Sequence, residues 1–371
     1  MSTRIGINGI GRIGRNLWRI IRTAAPDLSV VAANDTADID TIAHLLRYDT
    51  IRGRFTGTVE VVREALVLDG VPVPVHHEPT PDRINWASHG VDLVIEATGA
   101  FTRGPAARGH LRGGAPAVVV STAAPDADVC LMMGINEHAF DPARHRVISN
   151  ACCSTYCIAA MVSPLNQAYG IRNGSVTLAY SHGSRPGPLL DDATPQPGQG
   201  HPVNLRMARA NAVTLVPANV PGVRHALDQV LPGLAGRIAA TAFRLPVRAT
   251  SMAVLTLRLA RPASADEVND TLQAAATTLL KGYLEVSEAP LVSSDVIGSA
   301  ASCVVDPDFT TATGDLVRVV GWYDNEWGYA HRLVDLARVL TARANSASGY
   351  AGSTGPAGAS PAGRAAVPGP G

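Results

Sequence analysis

Net charge, long apolar runs and a cysteine framework are all missing from this chain, and each absence removes a class of function. Its 31 basic side chains balance 31 acidic ones, so no long-range field draws it toward a polyanion or an anionic membrane. Nucleic acid is not an expected partner. Nowhere do roughly eighteen apolar residues follow one another, the minimum for a spanning helix. Met1-Ser2-Thr3-Arg4 runs into a strand-like segment without the apolar stretch of a signal peptide. The expectation is a soluble, cytoplasmic protein with no membrane partner. Five cysteines, Cys130, Cys152, Cys153, Cys157 and Cys303, are an odd number without a repeating spacing, and in a reducing compartment they read as thiols. Cys152 and Cys153, being adjacent, are not expected to pair. No metal enters this reading.

What is present is a chain of 371 residues, more than one hydrophobic core usually organises. The first 150 residues alternate short β-branched runs with helical patterns, as in a parallel sheet covered by helices. Strands are expected at Ile5 to Asn8, Leu28 to Ala33, Asp92 to Glu96 and Ala117 to Val120. Between the first two, Leu17, Ile20, Ile21 and Ala24 recur at helical spacing. After Ser149 the β segments lengthen: Val176 to Tyr180, Val247 to Leu259 and Leu316 to Tyr323, with a helix over Ile158 to Leu165. Gly187 to Pro202 reads as a long loop. Leu333, Leu336 and Leu340 form one helical stripe, and beyond about Ala344 glycine, serine, alanine and proline dominate. The fold class is therefore α/β. A Rossmann dinucleotide-binding domain is expected over 1–150 and an α+β catalytic domain over 151–318. A C-terminal segment and helix over 319–343 should return to the first domain, with a disordered tail over 344–371.

Two motifs carry chemistry. Gly9-Ile10-Gly11-Arg12-Ile13-Gly14 lies between a strand and a helix. Gly9 permits the tight turn, Gly11 lets backbone approach a pyrophosphate, and Gly14 lets helix and strand pack closely. Asp35 follows Gly14 by 21 residues, where an acid at the end of the second strand meets adenine ribose hydroxyls. A carboxylate there favours NAD by repelling a 2'-phosphate, although small Thr36 beside it leaves NADP possible. Cys153 lies in Ser149-Asn150-Ala151-Cys152-Cys153-Ser154-Thr155-Tyr156-Cys157. Buried cysteine is a common small core residue, but this cluster ends a strand pattern and begins a helix, whose N-terminal amides acidify a thiol. A thiolate adds to an aldehyde, the thiohemiacetal gives up hydride, and a thioester remains for a nucleophile to release.

From about residue 4 to residue 342 the chain resembles the glyceraldehyde-3-phosphate dehydrogenase family. The shared segments are Ile7 to Arg15, Asn34-Asp35, Leu45 to Asp49, Glu96 to Phe101, Ser149-Asn150-Ala151 with Cys153, Phe243 to Pro246, and Trp322 to Tyr329. The resemblance implies an aldehyde oxidoreductase using NAD or NADP, and a homotetramer. It further implies that Asn325 holds the nicotinamide carboxamide and that Thr98, Gly99 and Ser121 line the cofactor cleft. Asn8, Arg12, Ile13, Asn34 and Tyr329 join these cofactor contacts, while Ser154, Arg185 and Arg244 face the substrate.

The chain also departs from the family. The nucleophile is usually followed by two threonines and an asparagine; here Ser154, Thr155 and Tyr156 follow Cys153. The catalytic histidine falls on Tyr180. A tyrosine with a pKa near 10 is a poor base at neutral pH, and losing a positioned base typically costs about 10²- to 10⁴-fold in rate. Tyr180 either donates a hydrogen bond to the thiohemiacetal oxygen or merely fills space in an impaired site. His182 is either a solvated loop residue or a displaced base, roughly 7 Å along the strand from the family position. Phosphate recognition changes too, since Gly183, Arg185 and Val220 or Pro221 stand where the family has hydroxyls, while Arg244 remains. Arg206 and Arg209 offer compensating charge or lie in solvent. The leading expectation is a diverged member with an altered aldehyde substrate. Authentic phosphorylating activity with His182 as base stands second, and a cofactor-binding regulatory or scaffold protein third.

Overall fold

The computed structural model describes residues 2–181, 206, 209–210 and 213–351. Two sheets organise the chain. The first has nine strands, in the spatial order Val129–Cys130, Val147–Ser149, Val118–Val120, Leu93–Glu96, Thr3–Asn8, Leu28–Asn34, Val71–His76, Ala65–Leu68, Val59–Val62. Its first seven strands are mutually parallel, and the last two continue it as an antiparallel meander. Leu93–Glu96 and the end of Thr3–Asn8 are buried residue after residue, as a parallel sheet covered on both faces requires. Helix Arg12–Ala24 closes one face with Leu17, Trp18, Ile20 and Ile21.

The second sheet runs Val216–Ala218, Ile238–Leu245, Ile171–Ser181, Ser251–Leu259, Leu316–Tyr323, Cys303–Thr313, Leu284–Val286 and is mostly antiparallel. Ser251–Leu259 alternates buried and partly exposed positions, which is the pattern of a sheet with a single packed face. The helix Cys153–Tyr169 covers that face. The strand expected from Val247 starts instead at Ser251. Thr250 before it adopts φ +66° and its hydroxyl donates to Ser293 O at 2.7 Å, so the chain turns where an extended run was expected.

The last helix, Trp327–Ala351, returns to the first sheet. Arg338 clasps Asp27 with two bonds of 2.7 Å, and Thr3 Oγ1 donates to Thr341 Oγ1 at 3.3 Å. Its stripe of Leu333, Val334, Leu336, Ala337 and Leu340 is buried. The helix extends seven residues past Ala344. The remaining tail, and the Gly187 to Pro202 loop, lie outside the described residues.

Candidate active site

Backbone geometry in the glycine loop leaves room for a ligand and little else. Gly9 has φ +94°, and a side chain there would meet Thr98 N at 2.6 Å. A Cβ on Gly14 would stand 2.1 Å from Gly9 O, whereas one on Gly11 would touch nothing within 4 Å. Helix Arg12–Ala24 has no side-chain cap, so its first amides remain available to an anion such as a pyrophosphate. Asp35 Oδ2 accepts from Ile10 N at 2.6 Å and Oδ1 from Ala37 N at 2.9 Å, fixing the acid against the loop with further lone pairs to spare. These residues fit a dinucleotide.

Behind the loop lies a buried polar network that sequence reading missed. Asn8 Nδ2 donates to Glu96 Oε2 at 2.5 Å, and Asn34 Nδ2 donates to Asn8 Oδ1 at 2.8 Å. Trp86 Nε1 donates to His110 Nδ1 at 3.0 Å, which leaves His110 Nε2 to donate to Glu96 Oε2 at 2.9 Å. Glu96 Oε1 accepts from Thr98 N at 2.8 Å and from the Thr98 hydroxyl. Thr98 Oγ1 in turn accepts from Ala100 N at 3.0 Å. Asn8, Asn34 and Thr98, assigned to the cofactor, are thus held by Glu96, His110 and Trp86. No spacing betrays this network, because its members come from separate strands and a short helix. Gly99, at φ +72°, is exposed on the rim, and Ser121 N donates to Glu96 O at 2.9 Å. Ile13 packs against the core and Arg12 pairs with Glu326 at 2.8 Å. Burial holds the Glu326 carboxyl above its usual range.

Cys153 stands at a strand-to-helix turn. Ala151, at φ +50°, turns the chain from strand Val147–Ser149 into the helix that Cys153 begins. Tyr329 OH donates to Asn150 O at 3.3 Å and Ala151 O at 3.4 Å. Tyr156 OH donates to Asn150 Oδ1 at 2.7 Å and accepts from Met133 N at 3.1 Å. The turn is locked from both sides. Asn325, buried, accepts at Oδ1 from Ser181 Oγ at 3.3 Å. Tyr180 OH lies 2.7 Å from Ser154 Oγ, and that oxygen lies 3.9 Å from Cys153 Sγ. Arg244 is the register partner of Tyr180 on the neighbouring parallel strand and is buried.

One expectation is corrected here. Burial, with Cys152 adding to it, pushes the Cys153 thiol up to about 12, outweighing the Ser154 hydroxyl and the helix-start amides of Cys153 and Ser154, which pull it down. Desolvation of the thiolate outweighs the helix-end dipole. Burial likewise drives the Tyr180 phenol well above its usual value, with Arg244 pulling weakly the other way, so both groups are protonated at neutral pH. His182 and Arg185 lie outside the described residues.

Residues 3–104 match the family described as "Glyceraldehyde 3-phosphate dehydrogenase, NAD binding domain", and residues 152–325 match its "C-terminal domain". The chain is 43% identical over 340 residues to "Glyceraldehyde-3-phosphate dehydrogenase 1" of Streptomyces avermitilis, covering 92% of this chain and 99% of that protein. It is 41% identical over 344 residues to "Glyceraldehyde-3-phosphate dehydrogenase" of Geobacillus stearothermophilus, with 92% and 99% covered. With a glycine loop open to a dinucleotide and a cysteine at a helix start, this chain belongs to the glyceraldehyde-3-phosphate dehydrogenase family, as an NAD-dependent oxidoreductase.

Proposed function

We propose that the chain oxidises an aldehyde other than the glycolytic one, through a thiohemiacetal and then a thioester on Cys153, with Tyr180 as a hydrogen-bond donor in place of a basic histidine. The observation that carries this reading is the 2.7 Å pair of Ser154 and Tyr180 hydroxyls beside the sulfur. Cys153 bonds to the carbonyl carbon, and the thiol proton passes to the carbonyl oxygen along the two hydroxyls. The same pair takes the hydroxyl proton when the carbon loses hydride, and returns it to solvent; inorganic phosphate or water then takes the acyl group from the thioester, and the released sulfur regains its proton. NAD supplies the hydride acceptor, held by Asp35, Thr98, Gly99 and Asn325 over the glycine loop; NADP is the second candidate. Arg244 supplies positive charge for an anionic group on the substrate.

A second reading, phosphorylating oxidation of glyceraldehyde 3-phosphate with His182 as base, is favoured by the names of the relatives. A screen of aldehydes with NAD and NADP, with and without phosphate, separates the two. Poor turnover of glyceraldehyde 3-phosphate that improves in Tyr180→His, with a better substrate among other aldehydes, is the expected result. Full glycolytic turnover that collapses in His182→Ala would replace our reading with the second. Should no aldehyde reduce either cofactor, a regulatory or scaffold role for the bound cofactor becomes the better account.

A further inference from the structure

The buried network around Glu96 can be polarised in one direction only, and His110 sets it. Trp86 Nε1 has a hydrogen to give and no lone pair to offer, so His110 Nδ1, 3.0 Å away, is the acceptor and the ring proton sits on Nε2. That proton goes to Glu96 Oε2 at 2.9 Å, the oxygen that also accepts from Asn8 Nδ2. Glu96 Oε1 takes the Thr98 amide and the Thr98 hydroxyl hydrogen. With its hydrogen committed, Thr98 Oγ1 meets every other group as an acceptor, as it meets Ala100 N at 3.0 Å. The Trp86 ring is wedged in place, since Trp86 N donates to Gly113 O at 2.9 Å and a Cβ on Gly6 would stand 2.8 Å from the indole. Trp86, Glu96 and His110 are all fully buried, so water cannot stand in for a lost partner.

We propose that His110 is a positioning residue for the dinucleotide, acting through Glu96 on Thr98 and Asn8, a role that rests on the assignment of those two residues to the cofactor cleft. A threonine oxygen held as acceptor keeps one lone pair for a hydroxyl donor of the ligand, and its rotamer is already chosen before the ligand arrives. Binding then loses less side-chain freedom. Without the imidazole, the buried carboxylate is short of one of its four donors. Asn8 and Thr98 then shift to cover the charge, and the cleft they line loses its prepared geometry. The ring thus governs cofactor affinity without touching the cofactor.

Calorimetric titration with NAD of the full chain and of His110→Leu, at a temperature well below both melting transitions, tests it. His110→Leu is expected to raise the NAD dissociation constant about tenfold, as loss of one hydrogen bond to a charged group does. His110→Gln, whose Oε1 can accept from Trp86 while its Nε2 donates to Glu96, should bring the constant back within about threefold of the parent. Should His110→Leu fail to fold, Trp86→Phe, which leaves Nδ1 without its donor and the tautomer free, should weaken NAD at least about threefold. A His110→Leu chain that melts earlier yet binds NAD like the parent, a His110→Gln chain no better than His110→Leu, or parental affinity in Trp86→Phe would each overturn the role. A parent chain that binds no NAD would instead remove the cofactor cleft itself, and the role with it.

Discussion

At the scale of single residues, the sulfur and its neighbours decide reactivity. A thiol raised to about 12 is neutral at every physiological pH, so its thiolate fraction grows about tenfold for each pH unit throughout the neutral and alkaline range. Iodoacetamide modification of Cys153 should therefore accelerate continuously up to at least pH 10, with Cys153→Ser as the blank. A plateau near neutrality would mean that a cation outside the described residues acidifies it. Tyr180→Phe removes the outer hydroxyl of the pair, and kcat should fall about 10²-fold, as for loss of one transition-state donor, with KM little changed. The identity of these residues could be read from the chain, because Cys153 and the glycines sit in contiguous segments whose spacing carries their meaning. The protonation state could not be, since the desolvation that raises the thiol is set by tertiary packing and not by any local window.

Among elements, two junctions bear the site. The contact of helix Arg12–Ala24 with its strand tolerates no side chain at Gly14, where the opposing atom is backbone that cannot move aside. Gly14→Ala should cost about 1–3 kcal/mol, as overpacking does, and raise the NAD dissociation constant, read by thermal melting and fluorescence titration. The turn before Cys153 depends on Tyr156, whose hydroxyl serves Met133 N and Asn150 Oδ1 together. Tyr156→Phe strands both partners in a buried place and should cost about 1–3 kcal/mol, measured by urea denaturation. The strands at Ile5, Leu28, Asp92 and Ala117 were readable because β-branched runs alternated there with helical spacing. The meander of Val59–Val62, Ala65–Leu68 and Val71–His76 and the long strand Cys303–Thr313 were not. Their prolines, acids and threonines blur the period, and partners across the sheet, absent from any local window, fix them as strands.

For the whole molecule, the helix Trp327–Ala351 is the closing piece. Leu336 is fully buried in its stripe, and Leu336→Ala should cost about 2–5 kcal/mol. The loss should lower the midpoint for the glycine-loop end as well as for the helix, followed through NAD release and circular dichroism in one melt. The leucine stripe made this helix readable, and the resemblance placed it against the first sheet. Its extension to Ala351 was hidden, because alanine and serine carry no apolar period. Order of synthesis gives this closure a further consequence. The strand at Thr3 leaves the ribosome first, yet the segment that seals it, Arg338 on Asp27 and Thr341 beside Thr3, is translated more than 300 residues later. For most of translation the N-terminal half waits with that apolar face uncovered, and shielding of the nascent chain becomes part of how this enzyme reaches its native state.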